Sequence, residues 1–329
     1  MVRARELGLP FAFILAAALV PLVVQDPYFL GVLVLAGIFV VLAISYGLVV
    51  GQLGAFSLVH PAFYGVGAYS LALLETRLHV PFLAALILAA ACAGMVGLAV
   101  GIPSFRLDGH GFGMATLGIL LVIQLVANNW ISLTQGPDCV LGVPPASVRL
   151  PGGIDLSASG PAGAYYGILV IAVLTYGFAR VLIGSRLGRA MRSVRENPTL
   201  AATHGVSLTR YRLLGFSVGA ALAGAAGAYY ATWASLVCPT DISLNYAITL
   251  LIIVYLGGAR SLWGVMLGAV VFTVIPEALR AAAAARLVIY GILLFFGALY
   301  LPEGFAGLVE VGQKRLSSAW RLRTRQSHL

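Results

Sequence analysis

The sequence predicts an all-α polytopic membrane protein with about ten transmembrane helices, within a range of eight to ten. Three observations carry that expectation. Of 329 residues, 60% are hydrophobic and only 9% charged, with a mean hydropathy of +0.99, where soluble domains run roughly one quarter charged. Apolar runs recur from the N-terminal region to about residue 301, and each helical span takes roughly 20 apolar residues. The basic residues also sort unequally between alternate loops. This composition excludes a soluble globular enzyme. The formal charge of +9 would suggest nucleic acid in a soluble protein; here it marks arginine-rich cytoplasmic loops, and no nucleic-acid partner is expected.

Charges and Pro/Gly clusters divide the apolar sequence into spans at 8–25, 28–50, 54–74, 80–103, 112–128, 161–183, 213–235, 245–259, 262–279 and 286–301. Arg3 and Arg5 before the first stretch give it a superficial likeness to a signal peptide. No A-x-A-like site followed by a soluble domain is present, so the stretch reads as a retained span. Residues 1–50 then hold the N-terminal spans, 51–301 the core and 302–329 a basic tail. The third span is rich in Gly and polar residues, and the eighth and ninth are split only by Gly257, Gly258 and Arg260. Eight or nine spans with a re-entrant segment therefore fit as well.

With the N-terminus inside and spans alternating, the outer segments hold only Arg77, Arg149, Arg280 and Arg286; the rest of the 20 basic residues fall inside. The positive-inside rule then places both termini in the cytoplasm. Residues 129–160, rich in Pro, Gly, Ser and Asp, form an outer loop. Residues 184–212, rich in Arg, form an inner one. Within the inner loop Asn197 precedes Pro198, a cap followed by a residue suited to the first helical position. Gly205 then terminates the segment. The inner loop is expected to carry a helix of about two turns.

The eleven acidic residues, Glu6, Asp26, Glu75, Asp108, Asp138, Asp155, Glu196, Asp241, Glu277, Glu303 and Glu310, all fall in loops or at span ends. Ion-driven transporters keep ionisable groups inside their spans, so this distribution argues against ion coupling. There is no G-x-x-x-x-G-K-[ST] loop, and none of His60, His79, His110, His204 and His328 has the H-E-x-x-H neighbourhood of a zinc protease. Catalysis, a bound metal and a nucleotide held by this chain are not expected. A passive channel and the membrane half of a pump driven by separate ATPases remain. The short helix in the inner loop suits a signal passed from ATPase to membrane; an ordinary solvated loop obeying the charge rule is the other reading of it.

Gln52 to Tyr69 mixes Gly, Ser, His and Pro at membrane depth, as a discontinuous helix lining a solute path does. Gln52, Ser57 and His60, with Thr116, Gln124, Asn128 and Asn129, are candidates for that path. Each is equally a hydrogen-bonding partner for a neighbouring helix. Gly65 and Gly67 read as packing contacts, as do the stripes Gly97/Gly101, Gly219/Ala223/Gly227 and Gly264/Gly268. Docking of a partner subunit is the second reading of the middle stripe. Trp130, Tyr165, Tyr166 and Trp233 read as interfacial anchors. Cys139 and Cys238 both fall on the outer side, which in a bacterium is oxidising, so a disulfide between the outer loop and the exit of the seventh span is open; spacing alone does not show it.

Three segments in order, GQLGAFSLVHPAFYGVGAYSLALL at 51–74, LGILLVIQLVANNWISLTQGPDCVLGVP at 117–144 and SRLGRAMRSVRENPTLAATHGVSLTRYRLLGFSVGAALAGAAGAYYA at 185–231, followed by IVYLGGARSLWGVMLGAV at 253–270, resemble the permeases of branched-chain amino-acid ABC transporters, in particular the M-type member of the permease pair. The likeness runs from about 51 to 301. The sequence departs from the family pattern at Pro61, at Gln135–Cys139, at Asn197-Pro198, at His204 and at Arg260. The resemblance implies an ABC importer permease core with a discontinuous helix. It also implies a second homologous permease subunit, two ATP-binding subunits that hold the ATP and Mg, and a periplasmic solute-binding protein, in a bacterial inner membrane. It makes Glu196, Asn197, Pro198, Ala201, Ala202, His204 and Gly205 the element that couples to the ATPase. A same-class permease for urea, short amides or aromatic acids is the first alternative, and a passive channel the alternative from another class.

Overall fold

The computed structural model describes residues 17–21, 26–107, 109–150, 154–157 and 160–278. The span expected at 286–301, the basic tail 302–329 and most of the span at 8–25 lie outside them.

Helix α1, Pro27–Gly47, starts with Asp26 accepting from the Tyr28 N–H and Pro27 at the first position, and runs on through a π-helical turn, Leu48–Leu53. A non-helical segment, Gly54–Val59, separates it from α2, His60–Leu78. Next come α3 (Phe82–Ser104), α4 (His110–Asn129) and α5 (Pro161–Gly184). Two short helices, α6 (Arg186–Glu196) and α7 (Pro198–Thr203), lead into α8 (Leu208–Ala234), α9 (Leu244–Gly257) and α10 (Leu262–Ala278). Among the described residues six segments are long and apolar enough to cross a membrane: Pro27–Leu53, Phe82–Ser104, His110–Asn129, Pro161–Gly184, Leu208–Ala234 and Pro239–Gly257.

The spans read from sequence between 28 and 279 each have a helix here, with two displaced starts, the seventh beginning at Leu208 and not at residue 213. The third begins at His60, not at residue 54, because Gly54 takes a left-handed conformation (φ +69°) that ends the preceding turn. The expectation of helix alone needs correction in the outer loop. Val140–Leu141 (β1) pairs with Leu236–Val237 (β4), and Ser147–Leu150 (β2) pairs with Ile154–Ser157 (β3), both antiparallel. Short ladders of this kind leave edges unpaired, which is tolerated in water and not in hydrocarbon.

Helix α8 is the axis of the bundle, packed against α2 on one side and α3 on the other. Glycines let the α2 and α8 backbones approach closely. A Cβ on Gly67 would strike the Gly224 backbone, and one on Gly227 would strike the Tyr64 carbonyl. Gly97 and Gly101 face Ala220 and Leu213 of α8. The stripe Gly219/Ala223/Gly227 is thus spent within the chain, with Ala223 fully buried, and is not a docking face. With α2 so enclosed, its low apolarity is compatible with a place inside the bundle.

The ends of the helices alternate. At one end Gly51, Arg195 and Ala259 meet, and Phe105 stacks on Phe112. At the other, Tyr28 donates to Glu277, Arg77 donates to the carbonyl of Ser132 (2.8 Å), and β1 pairs with β4. The first end collects Arg106, Arg186, Arg189, Arg192, Arg195, Arg210, Arg212 and Arg260; the second holds Arg77 and Arg149.

Candidate functional site

Helix α7 forms because its two ends are capped. The Asn197 side chain accepts from the Leu200 N–H at 2.9 Å, and Pro198 occupies the first position. At the far end Gly205 is left-handed (φ +77°); its N–H reaches the Ala202 carbonyl and the Val206 N–H reaches the Ala201 carbonyl, 3.0 Å each. That pair of bonds is a Schellman closure. Asn197, Pro198, Ala202, His204, Gly205 and the adjoining Glu196 are exposed. Ala201 departs from the expectation. It is 5% exposed and packs inward, because a six-residue helix lying on its neighbours must bury one face. His204 turns its Nδ1 to the Leu200 carbonyl, 2.9 Å away, where it helps close the last turn.

Helix α6 is not among the elements expected from sequence, although a signal for it exists. Ser185 caps it by accepting from the Gly188 N–H, and Leu187, Met191 and Val194 recur at helical spacing. Met191 and Val194 are buried. Its arginines bind backbone carbonyls at the adjacent helix end: Arg189 donates to Gly184 (2.9 Å) and Arg192 to Ile183 (3.2 Å). Arg195 instead reaches across and donates to the Gly51 carbonyl in the π-helical turn. A cation there complements the carbonyls left free at a helix C-terminus, worth up to about 2 kcal/mol when partly buried. Burial and the nearby Arg260 both push the Arg195 pKa below its ordinary value, while Glu196 acts the other way.

The break between α1 and α2 holds a buried polar cluster. Tyr46 Oη donates to the Ser57 carbonyl (2.6 Å), the Leu58 N–H donates to Thr116 Oγ1 (3.1 Å), and Ser45 Oγ lies 3.1 Å from His60 Nε2. Ser57, His60 and Thr116 are therefore brought together, all within 1% exposure. Gln52 lies in the adjoining π-helical turn. Gln124 and Asn128 are not part of the cluster. They stand two and three turns along α4 from Thr116, Gln124 half-buried and Asn128 exposed. The hydrogen bonds also separate the two readings of these residues. Thr116 is satisfied, donating to Gly113 while accepting from Leu58, and so acts as a brace. Gln52 Oε1 and His60 Nδ1 are buried without a partner, a condition that costs about 1–3 kcal/mol per group and calls for a reason.

Two acidic side chains, placed as expected at a span end and in a connection, are nevertheless buried. Glu75 sits in the last turns of α2 at 6% exposure, with Oε2 unpartnered. Asp241 is 8% exposed and accepts from the Cys238 N–H at 3.0 Å and from Tyr230 Oη at 3.5 Å. Both lie toward the end opposite α7. Cys139 and Cys238 form a disulfide beside the β1–β4 pair, with Cα atoms 4.4 Å apart. Among the aromatic anchors, Trp130 and Tyr166 are exposed. Tyr165 is buried and donates to the Ala17 carbonyl (2.8 Å), and Trp233 packs on the Tyr230 ring.

Several hydrophobic crossings, a polar break at the foot of an enclosed helix and a capped helix on the arginine-rich end define a multi-pass membrane protein with the parts of a transport subunit. Residues 28–298 match the family described as branched-chain amino acid transport system / permease component, and the chain belongs to that family. The high-affinity branched-chain amino acid transport system permease protein LivM of Salmonella typhimurium is 28% identical over 288 residues, which is 81% of this chain and 67% of that protein. LivM of Escherichia coli is 27% identical over the same coverage. The corresponding permease protein LivH of Salmonella typhimurium is 25% identical over 294 residues, 84% of this chain and 94% of LivH. No solved structure matches the chain.

Proposed function

We propose that the chain is the membrane-spanning permease subunit of an ATP-binding-cassette importer for branched-chain amino acids, forming half of the translocation path. The observation that carries this reading is the family match across 28–298, and it favours branched-chain amino acids over urea, short amides or aromatic acids. Relatives of both the M and H kinds support a second homologous permease as partner. Two ATP-binding subunits hold ATP and Mg, and a periplasmic binding protein delivers the solute. This chain itself binds no cofactor. In this reading the chain crosses a bacterial inner membrane ten times, with the arginine-rich end and both termini in the cytoplasm, as the positive-inside rule supports, and the disulfide on the oxidising side.

In this reading α7, with Glu196 and Gly205 at its borders, docks on an ATPase. Closure of the ATPase pair displaces it, and the discontinuity at Gly54–Val59, with Gln52, Ser57 and His60, opens or closes the path. Gln124 and Asn128 line it further out on the side completed by the partner permease. The test is reconstitution of the full importer in proteoliposomes. Leucine uptake that needs ATP and the binding protein is the expected result. Uptake by the permeases alone, without ATPase subunits, indicates a passive channel and overturns the proposal.

A further inference from the structure

We propose that Arg195 is the mechanical link between the coupling helix and the membrane path, holding the foot of α1 in its π-helical form and passing the displacement of α7 to the break before α2. The inference rests on the reading of α7 as the docking element.

Helices α6 and α7 move as one body. Only Asn197 separates them, and its N–H bonds back to the Ser193 carbonyl while its own carbonyl takes the Ala201 N–H, 3.0 Å each. The adjoining Pro198 leaves that junction little freedom. Of the arginines on α6, Arg189 and Arg192 bind the end of α5, next to them in sequence. Arg195 binds the carbonyl of Gly51, 144 residues away.

The receiving site is narrow. A Cβ at Gly51 would strike the carbonyl of Ala259, between α9 and α10, and one at Gly54 would strike the Arg195 side chain, with its Cγ 2.6 Å away. The end of α1 is thus held between α6 and the α9–α10 connection. Leu53 and Met191 meet at Gly215 of α8, giving the same junction an apolar floor. A π-helical turn carries one residue more than the α-helix it replaces. Its loss would rotate the chain beyond it by about one residue, roughly 100°. The groups so rotated are Gln52, whose buried Oε1 has no partner, and the Gly54–Val59 segment leading to His60. The orphan acceptor at Gln52 and the unpartnered Nδ1 of His60 are then groups poised to find partners in the other state. The link is also reversible in character, since Arg260 repels the guanidinium that makes it.

The test uses the whole importer in proteoliposomes, measuring leucine taken up per ATP hydrolysed for wild type, Arg195→Lys, Arg195→Ala and, as a control on the same helix, Arg189→Ala. In parallel, Ala202→Cys is crosslinked to the ATPase in each background. The expected result is undiminished crosslinking and hydrolysis in all four, with uptake per ATP lowered at least tenfold in Arg195→Ala, less in Arg195→Lys, and unchanged in Arg189→Ala. A ratio unchanged in both Arg195 variants, with crosslinking intact, overturns the link alone. No crosslink in the otherwise wild-type background overturns the docking role of α7 and the link with it. Should Arg195→Ala not assemble, Arg195→Lys keeps the charge and stem and decides the matter by the same ratio.

Discussion

Replacing Gly67 by alanine adds one methyl group at the crossing of α2 and α8, where the geometry leaves it no room. The nearest atoms to the new Cβ are the carbonyl oxygen, Cα and carbonyl carbon of Gly224, all of them backbone. No rotamer change relieves such a contact, so the two helices must separate. Separation also loosens Gly227 against the Tyr64 carbonyl one turn away. Overpacking a tight core costs about 1–3 kcal/mol, and with backbone as the obstacle the upper figure, about 3 kcal/mol, applies. Alanine returns roughly 1 kcal/mol of helix propensity. The net loss is about 2 kcal/mol, or roughly thirtyfold in the folded-to-unfolded ratio. Gly118→Ala on α4 is the matched control, because its Cβ would meet nothing within 4 Å and only the propensity gain remains. Unfolding in mixed micelles with increasing dodecyl sulfate, followed by tryptophan fluorescence, reads both. Gly67→Ala should unfold at a distinctly lower detergent fraction than wild type and Gly118→Ala at an equal or higher one. Coincident curves for the two variants would show that backbone contact between α2 and α8 does not hold the bundle.

Thr116→Val should cost about 1–3 kcal/mol, because the Leu58 N–H loses its acceptor in a buried site; Thr116→Ser should restore the same unfolding midpoint. Asn197→Ala removes the cap of α7 and about 1 kcal/mol of local stability, so proteolysis at 198–205 should quicken in detergent-solubilised protein while Asn197→Asp keeps the wild-type rate. Maleimide labelling of denatured protein should find one thiol, Cys92, before reduction and three after it; three before reduction would contradict the Cys139–Cys238 bond. Gly205→Ala places a side chain at φ +77°, a cost of roughly 1–2 kcal/mol, and should lower leucine uptake in proteoliposomes without changing membrane insertion.

The spans were legible because lipid demands long apolar runs, and the end of α7 because Asn197, Pro198 and Gly205 act through local backbone geometry. The features that escaped depend on partners distant in sequence. Nothing near Arg195 distinguishes it from Arg189 or Arg192, yet only Arg195 faces the free carbonyls at the foot of α1. Glu75 lies one residue past the expected end of its span. It is buried because α2 runs on to Leu78, an extension no hydropathy window rewards. Asp241 does lie in the connection before α9, yet its carboxylate is held by the Cys238 N–H and surrounded by tyrosines from α2, α8 and α9. The strands of the outer loop had a local signal in the Gly152-Gly153 pair of the sequence between two short alternating runs, outweighed by the helical character of everything around them.

The same distinction bears on which candidate residues belong to a path. Composition places Ser57, Thr116, Gln52 and His60 in one class, as polar groups at membrane depth. Hydrogen-bond accounting divides them. Thr116 Oγ1 accepts from the Leu58 N–H and Ser57 Oγ from the Val59 N–H, so loss of either hydroxyl should be felt as lost stability. Gln52 and His60 each keep a buried atom without a partner; His60 still holds Ser45 through its Nε2, whereas a neutral apolar replacement at Gln52 forfeits little in this folded state. If those atoms serve a second state of the bundle, Gln52→Leu should leave the dodecyl sulfate midpoint at or above that of wild type while leucine uptake falls. A midpoint that drops together with uptake would make Gln52 one more brace of the break.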